Sequence, residues 1–310
     1  MRAIVVRSFG GPEVLELADL PEPHAGPGEV RIRVRAATVN PTDTALRAGL
    51  YGDRLTSPPP HIPGMEAAGE VDEVGEGAGW AVGDAVMGIA LPTSRRGGAY
   101  AERIVLPAGS VARVPEGHDF ITASTLPMNG LTARLTLDRL ALAPGATLAV
   151  TGAAGAYGGY VVQLARADGL RVVADASEAD EDLVRSFGAD VVVRRGPDVA
   201  GRIRAAVPGG VDALADGSVQ NAEVLPAIRD GGALASVRRW TGPSERGITL
   251  HAILVSDYAR NHEALDRLRV QVEEGRLSLR VARTFSPEAA AEAHRQLEAG
   301  GTRGRLVIRF

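Results

Sequence analysis

A glycine-rich turn that joins a short apolar run to a helical apolar pattern is the stretch of this chain best suited to hold a phosphate. The run is Leu148–Thr151, and the glycine turn that follows is Gly152–Gly158, with the sequence GAAGAYG. Ala153, Gly155 and Gly158 form A-x-G-x-x-G, a relaxed version of the dinucleotide fingerprint. Small residues let the backbone approach a pyrophosphate, and the N–H groups of the following helix favour negative charge. A tight turn without a ligand can contain the same residues, but the flanking strand–helix–strand pattern favours a nucleotide site.

Polar residues after the second strand of this unit bear on which dinucleotide it would hold. Asp175 ends that strand, close to where an acidic residue accepts a hydrogen bond from the ribose 2′-hydroxyl of NADH. Ser177, Arg194 and Arg195 could instead surround the 2′-phosphate of NADPH, because guanidinium groups bind phosphate strongly. The acidic run Glu178–Asp182 argues for NADH. The residues by themselves leave both cofactors open.

Two residue types that do chemistry in many enzymes are missing from the sequence. The absence of cysteine excludes disulfides, thiolate zinc sites, iron–sulfur clusters and cysteine nucleophiles. All 34 residues counted as lysine or arginine are arginines, which excludes Schiff-base and P-loop lysines. The net charge of −4 gives no basic footprint for nucleic acid, and no apolar run reaches the ~18 residues of a membrane span. Because the sequence begins with a charged strand and not a signal peptide, we expect a cytoplasmic protein.

The elements that must position these residues change in type along the chain. Residues 1–120 contain short runs of alternating polarity, such as Glu29–Ala36, separated by glycine turns, which is typical of a small β-barrel. From Leu148 onward strands and helices alternate, which is typical of a doubly wound parallel sheet. The later pattern predicts a long helix at Tyr258–Glu274 and a strand at Leu277–Ala282. The predicted fold class is therefore α/β, with ligands expected in the cleft between the two modules, at the carboxyl ends of the parallel strands.

Several short motifs follow one another in a distinctive order. They are GPEVLEL (Gly11–Leu17), PGEVRIRVRAATVNPTD (Pro27–Asp43), GMEAAGEVDEVGEGAGWAVGDAV (Gly64–Val86), GGAYAE (Gly97–Glu102), NGLTA (Asn129–Ala133), the glycine turn, FGAD (Phe187–Asp190) and AHRQLEAGGTRGRLV (Ala293–Val307). Their order resembles that of the medium-chain dehydrogenase/reductase superfamily over essentially the whole chain. In that superfamily a GroES-like β-barrel catalytic domain is interrupted by a Rossmann domain. The resemblance implies that residues 1–121 and 256–310 form the first domain and residues 122–255 the second.

Within the superfamily the sequence is similar to the zinc-free quinone oxidoreductase, or zeta-crystallin-like, branch. Zinc-dependent members have a cysteine where Asn40 stands and a histidine where Met65 precedes Glu66. The segment Asn40–Asp43 matches the N-x-x-D signature of the zinc-free branch. Since a metal would not polarise the carbonyl, the resemblance implies hydride transfer to an already electrophilic carbon, in a quinone or an α,β-unsaturated carbonyl.

The resemblance also implies which residues act in catalysis and which bind the cofactor. It assigns Asn40, Tyr51 and Asp43 to the catalytic site, although we expect Asp43 to hold the loop by local hydrogen bonds. Asn40 would bond the nicotinamide ribose or the substrate oxygen, and Tyr51 the acceptor oxygen. The structural alternative for Asn40 is that it starts a turn, as Asn-Pro pairs do. The structural alternative for Tyr51 is that it is an aromatic residue of a surface loop. The residues expected to bind the cofactor are Asn129, Thr132, Ala153, Gly155, Ala156, Tyr157, Gly158, Asp175, Ser177 and Arg194.

Two further expectations follow from the resemblance. The cofactor is NADPH by the habit of the family, with NADH as the alternative that the local charges favour. The protein forms a homodimer by edge pairing of sheets around residues 248–255, a run that a buried strand would also show. Two other functions stay open: an enoyl-thioester reductase of the polyketide or fatty-acid type, and a nucleotide-binding protein with little catalysis.

Overall fold

Strands make up most of the first part of the chain, and strand–helix repeats make up its middle. The structure, a computed structural model, describes residues 1–238, 240, 242–243 and 245–310. Its strands are β1 (Arg2–Val6), β2 (Leu15–Asp19), β3 (Glu29–Thr38), β4 (Glu66–Val74), β5 (Ala85–Ile89), β6 (Arg103–Pro107), β7 (Val111–Arg113), β8 (Thr147–Thr151), β9 (Arg171–Ala176), β10 (Val191–Arg194), β11 (Val211–Asp216), β12 (Ile228–Ser236), β13 (Thr249–Ala252), β14 (Val281–Phe285) and β15 (Arg305–Arg309). Its α-helices are α1 (Pro41–Arg47), α2 (Phe120–Ala123), α3 (Pro127–Leu140), α4 (Ala156–Ala167), α5 (Glu181–Ser186), α6 (Val199–Ala206), α7 (His262–Glu273) and α8 (Ala290–Ala299). None of the helices in these ranges is long and apolar enough to cross a membrane.

The chain separates into two compact units. The split unit consists of Met1–Met128 and Ala259–Phe310, and the central unit of Asn129–Tyr258. The domain limits expected from the sequence stay a prediction.

The split unit is built on a seven-stranded sheet in the order β14-β15-β3-β4-β5-β7, with β6 also paired to β3. The residues of β3 alternate because one face of the strand is buried: Val30, Ile32 and Val34 enter the core. The arginines between them point to the other face, where Arg31 and Arg33 form ion pairs with acidic residues of β4. The tail of the chain returns to this sheet, since β15 pairs antiparallel with β3.

The central unit is a six-stranded parallel sheet in the order β10-β9-β8-β11-β12-β13. The chain runs outward from β8 to β10 and then crosses back to β11, so the direction of winding reverses between β8 and β11. Parallel sheets of this kind bind ligands beyond the carboxyl ends of their strands at that reversal. The glycine turn follows β8 directly. The predicted fold class, α/β with a β-rich module and a doubly wound parallel sheet, is confirmed.

Two predicted elements near the end of the chain are wrong in their limits. The helix predicted at Tyr258–Glu274 starts only at His262, because the side chain of Asn261 caps the N–H of Ala264 at 2.9 Å. The strand predicted at Leu277–Ala282 is observed as β14. The N–H of Leu277 instead bonds the carbonyl of Gln271 in the turn that ends α7.

Candidate active site

The glycine turn has the close backbone packing that its sequence predicts. Gly152 has a φ of +68°, a conformation that L side chains rarely adopt. A Cβ on Gly158 would lie 2.3 Å from the carbonyl oxygen of Gly152, and one on Gly155 would lie 3.1 Å from it. Gly155 is the N-cap residue of α4, which begins at Ala156, so the first N–H groups of the helix, which have no acceptor within the helix, lie at this turn. The turn therefore presents backbone donors where no side chain can intrude.

The remaining predicted residues of the turn and of α3 are placed mainly inside the protein. The ring of Tyr157 lies against Gly217, and its hydroxyl is 2.9 Å from Oγ1 of Thr136. Since Thr136 donates to the carbonyl of Thr132 at 2.8 Å, Tyr157 is the donor in this pair. Burial raises the pKa of Tyr157. Asn129 and Thr132 are both buried in α3, and their predicted contact with the cofactor stays a prediction.

Two buried polar atoms near the glycine turn have no hydrogen-bond partner. Asp175, 2% exposed at the end of β9, accepts the N–H of Ala153 on Oδ1 at 3.1 Å, while its Oδ2 accepts no bond. Ser218 follows β11, and its Oγ is also buried without a partner. A Cβ on Gly152 would lie 3.1 Å from that hydroxyl. Buried polar atoms are nearly always satisfied, so an unsatisfied pair at the carboxyl edge of the sheet fits a site that a polar ligand completes.

The charges around Asp175 set its electrostatic surroundings. Burial raises the pKa of Asp175, and the N–H of Ala153, the charge of Arg195 and the N–H of Gly152 partly oppose that rise. Ser177 donates its hydroxyl to Oδ2 of Asp180, which is itself buried. Arg194, at the end of β10, is exposed and forms a 3.3 Å ion pair with Glu178.

In the split unit, Glu66 is the centre of a buried group of polar side chains, the Glu66 network. Oε1 of Glu66 accepts from Nη2 of Arg305 at 2.6 Å, from Nδ2 of Asn40 at 3.1 Å, and from the hydroxyl of Thr38. Oε2 accepts the N–H of Met128 at 2.7 Å. Arg305 also donates to Oδ1 of Asn40 at 2.6 Å, so both ends of this amide are held. Asn40 has no exposed surface, and its predicted contact with ribose or substrate stays a prediction.

Asp43 has the local structural role expected from the sequence. Its Oδ2 accepts the N–H of Asn40 at 2.9 Å, which completes a capping box at the start of α1. Its Oδ1 accepts the N–H of Gly64 at 3.0 Å. The hydroxyl of Tyr100 donates to Oδ2 at 3.1 Å and lies 3.3 Å from Nε2 of His294. Because Tyr100 donates to Asp43, His294 is the donor to Tyr100, and its buried Nδ1 has no partner.

Burial changes the proton affinity of both ends of this chain of hydrogen bonds. It raises the pKa of Asp43 to about 7, although the three donors that Asp43 accepts oppose the rise. It lowers the pKa of His294 to about 3, with a further contribution from the charge of Arg47. His294 is therefore neutral at physiological pH.

Tyr51 lies apart from the network. It is half-buried just after α1, and the guanidinium of Arg54 lies 5.7 Å from the centre of its ring. Its predicted role as a donor to the acceptor oxygen stays a prediction.

The sequence reasoning missed four residues that belong to these two centres. Arg305 was only one letter of a terminal motif, and an arginine before an apolar strand gives no signal of a buried partner. Tyr100 and His294 are far apart in sequence, and each is only one letter of a longer motif. Ser218 follows the fourth strand of the parallel sheet, and its place after that strand could have identified it.

The chemistry of the donor set argues against a metal at the Glu66 network. Both oxygens of Glu66 are already used, and Arg305 supplies the positive charge. Among the residues that the structure describes, no three histidine, aspartate or glutamate side chains are grouped so that they could hold a metal ion.

Known proteins similar to this chain include dehydrogenases and oxidoreductases. Residues 26–116 match the alcohol dehydrogenase GroES-like domain, and residues 187–308 match the zinc-binding dehydrogenase family. The chain is 31% identical to the quinone oxidoreductase of Pseudomonas aeruginosa over 99% of both chains. Among solved structures it is similar to an NAD-dependent alcohol dehydrogenase, at 33% identity and a TM-score of 0.86 over 100% of both chains. It is also similar to a mycobacterial protein complexed with NADPH, at 29% identity and a TM-score of 0.87, again over 100% of both chains.

Proposed function

This chain belongs to the medium-chain dehydrogenase/reductase superfamily, and from that membership we propose that it is a metal-independent oxidoreductase. It transfers hydride from a reduced nicotinamide dinucleotide to a quinone or to an α,β-unsaturated carbonyl. A quinone oxidoreductase is among the relatives that match it from end to end.

The observation that carries the proposal is the hydrogen bonding of Asn40 and Glu66. By the resemblance these residues stand at or beside the positions where zinc-dependent members place metal ligands. Here the amide of Asn40 and both oxygens of Glu66 are bonded to protein groups, chiefly to the guanidinium of Arg305. Both oxygens of the carboxylate and the oxygen of the amide already accept hydrogen bonds, and the guanidinium charge beside them opposes a metal cation at the same place.

The reaction class follows from that arrangement. Without a Lewis acid, a metal does not polarise the carbonyl of an ordinary ketone or aldehyde, and only hydrogen bonds are left for that task. A quinone, or the β-carbon of an enone, is electrophilic enough to accept hydride when the protein supplies orientation and hydrogen bonds. This supports an acceptor of that kind over a simple alcohol–ketone pair.

The residues of the central unit fit a dinucleotide. The close-packed turn at Gly152, Gly155 and Gly158 leaves the N–H groups at the start of α4 open to a pyrophosphate. The unpartnered oxygen of Asp175 and hydroxyl of Ser218 would take polar groups of the same ligand. When bound, the reduced nicotinamide supplies the hydride.

In the split unit, Tyr51 is the residue that we assign to the acceptor oxygen. It is half-buried and its side chain is not part of the Glu66 network. We assign the Glu66 network a supporting role, because its charge pair holds Asn40 and the start of α1 in one arrangement.

We also propose that the protein forms a homodimer through the edge of the parallel sheet. Within the described residues β13 is an edge strand of that sheet, and its side chains are exposed or half-buried. An unpaired strand edge is a template for pairing with a second copy. Measurement of the molecular mass of the protein in solution tests the homodimer independently of activity.

The decisive experiment measures oxidation of reduced nicotinamide by the purified protein. The acceptors are a benzoquinone, a naphthoquinone, a simple enone and an enoyl thioester, with the saturated ketone matched to the enone as control. We expect turnover with a quinone or the enone, none with the saturated ketone, and no loss of turnover after treatment with a chelator.

Three outcomes would contradict the proposal. Turnover abolished by chelation would show a metal-dependent reaction. Turnover restricted to the enoyl thioester would favour the thioester reductase. Dinucleotide binding without turnover on any acceptor would leave a binding protein.

A further inference from the structure

We propose that Phe9 is a positioning residue for the reduction: its ring supports the turn Gly49–Gly52 and so holds Tyr51 where it donates to the acceptor oxygen. The proposal rests on the proposed function, in which Tyr51 is assigned to that oxygen. Phe9 does not contact the acceptor and acts through Tyr51.

The turn that carries Tyr51 has its shape fixed by hydrogen bonds between near neighbours in the chain. The N–H of Gly49 donates to the carbonyl of Leu46 at 2.9 Å, and the N–H of Gly52 donates to the carbonyl of Gly49 at 3.1 Å. The N–H of Arg54 donates to the carbonyl of Tyr51 at 2.9 Å. Such local bonds set the shape of a turn, but its place on the rest of the unit depends on contacts with residues distant in sequence.

The ring of Phe9 makes a contact of that kind on both sides of Tyr51. A Cβ on Gly49 would lie 3.0 Å from both Cγ and Cδ2 of the ring, and a Cβ on Gly52 would lie 3.6 Å from Cε2. Gly49 also has a φ of +87°, a conformation that L side chains rarely adopt. The absence of a side chain at Gly49 therefore lets the backbone of the turn lie directly against the ring.

Phe9 is itself held in place by two other parts of the split unit. Its ring stacks with the imidazole of His61, with ring centres 5.8 Å apart and planes inclined by 6°. His61 exchanges two backbone hydrogen bonds with Val6 of β1, at 2.8 and 2.9 Å. The next residue, Gly10, bonds Arg47 at the end of α1 through its N–H and its carbonyl, both at 3.1 Å. The ring is therefore a fixed support.

The exposure of the ring also separates it from an ordinary core residue. In the part of the chain that the structure describes, three large apolar side chains are exposed: Phe9 (46%), Leu50 (76%) and Val82. Two of the three thus meet at the turn that carries Tyr51. An aromatic ring offers a broad surface with two rotatable side-chain bonds, so it holds a neighbouring backbone more firmly than a flexible aliphatic chain.

The placement of Tyr51 matters because a donor must meet the oxygen on which charge develops. That requires a distance of about 2.7–3.1 Å, and a misplacement of about 1 Å can cost about 10²-fold in rate. Without the ring of Phe9, the turn has room to move toward the space that the ring occupied. Tyr51 then donates in only a fraction of the molecules, and the loss falls on kcat, since the bond is strongest in the transition state.

The test is a double-mutant cycle on kcat/KM with a benzoquinone, using Phe9→Ala, Tyr51→Phe and the double variant. Phe9→Tyr keeps the ring, and Val82→Ala is the matched control because Val82 is also apolar and exposed. Amide hydrogen exchange of residues 48–55 measures how firmly the turn is held, without any acceptor. Thermal unfolding shows whether each variant is folded. Gly49→Ala, whose Cβ pushes against the ring, replaces Phe9→Ala if that variant does not fold.

We expect Tyr51→Phe to lower kcat/KM by about tenfold or more. Phe9→Ala lowers it to a similar extent, through kcat, and the double variant is no worse than Tyr51→Phe, because one residue acts through the other. Residues 48–55 exchange at least about tenfold faster in Phe9→Ala. Phe9→Tyr recovers most of the activity, and Val82→Ala changes neither activity nor exchange.

Losses that multiply in the double variant would show that Phe9 acts independently of Tyr51, which overturns the proposal and leaves the proposed function intact. Unchanged exchange of residues 48–55 in Phe9→Ala would overturn it as well, since the ring would not then support the turn. Full activity of Tyr51→Phe would remove the role of Phe9 along with that of Tyr51. Absence of turnover by the natural protein with every acceptor would overturn this proposal and the proposed function together.

Discussion

The Glu66 network and the edge of the parallel sheet beside the glycine turn both contain buried polar side-chain atoms, yet they differ in how those atoms are satisfied. In the first, one guanidinium, one carboxylate and one amide satisfy one another. In the second, Asp175 and Ser218 each leave an oxygen without a partner. A saturated network stabilises one arrangement, whereas an unsatisfied atom at the ligand-binding edge of a parallel sheet leaves room for a ligand to satisfy it. In the split unit, Nδ1 of His294 and Oε1 of Gln271 are likewise buried without a partner, outside the Glu66 network.

Replacing Arg305 with methionine should have the largest effect of the changes considered. It leaves the carboxylate of Glu66 buried without its counter-charge, and breaking one partner of a buried pair typically costs about 3–5 kcal/mol of unfolding free energy. Urea unfolding measures the loss. Arg309→Met, at the exposed end of the same strand, is the control and should cost less than about 0.5 kcal/mol. Equal losses in the two variants would mean that the network does not stabilise the fold.

His294→Gln should change how stability depends on pH. The pKa of His294 is about 3 in the folded protein and 6.5 unfolded, so its contribution to stability is lost as pH falls through this range. Relative to the natural protein, the variant should therefore gain about 2–3 kcal/mol between about pH 7 and pH 4.5.

The opposite sign applies to Asp43, whose pKa of about 7 lies above its unfolded value of 3.8. The contribution of Asp43 to stability grows as pH falls between these two values. In the natural protein this gain offsets the stability that His294 loses over the same range. Urea unfolding at several pH values checks the difference, with exposed His24→Gln as control. Identical pH profiles for His294→Gln and the natural protein would show that His294 is protonated without cost.

Gly158→Ala should lower dinucleotide affinity by about tenfold or more, since the new Cβ forces the carbonyl of Gly152 to move. Gly155→Ala is the matched comparison, because its Cβ lies 3.1 Å from the same oxygen and needs only a small shift. We expect a loss of about threefold there, which is under 1 kcal/mol. Calorimetry measures both. If Gly155→Ala is the more damaging variant, the helix start matters more than the packing inside the turn.

Tyr157→Phe and Ser218→Ala should have the smallest effects and should separate stability from binding. Removing the hydroxyl that Tyr157 donates to Thr136 costs about 1 kcal/mol of stability and leaves dinucleotide affinity unchanged. Removing the unpartnered hydroxyl of Ser218 costs no stability but weakens binding a few-fold, by about 1 kcal/mol. Loss of affinity in Tyr157→Phe with none in Ser218→Ala would reverse the assignment of the two side chains.

Much of the fold was open to prediction because its signals are local. Alternating Val and Arg residues identified β3, and the spacing of small residues identified the glycine turn between β8 and α4. The limits near the end of the chain failed because caps decide them: Asn261 starts α7 later than its apolar pattern suggests. Asp43 was predicted to hold its own loop, and two of its partners lie near it in sequence or in a neighbouring motif.

The sequence by itself determined the fold class, the family and the absence of cysteine and lysine chemistry, since these depend on residue types and on short-range order. Only the tertiary structure decided which polar groups are satisfied. The partner of Glu66 is 239 residues away in sequence, and the return of β15 to β3 brings the two together. The same is true of the glycine turn, where the fold buried an oxygen of Asp175 and gave it no donor. Whether a polar group is buried, and whether it has a hydrogen-bond partner, depends on contacts between residues that are distant in sequence. Those contacts decide whether the group stabilises the protein or is left to bind a ligand.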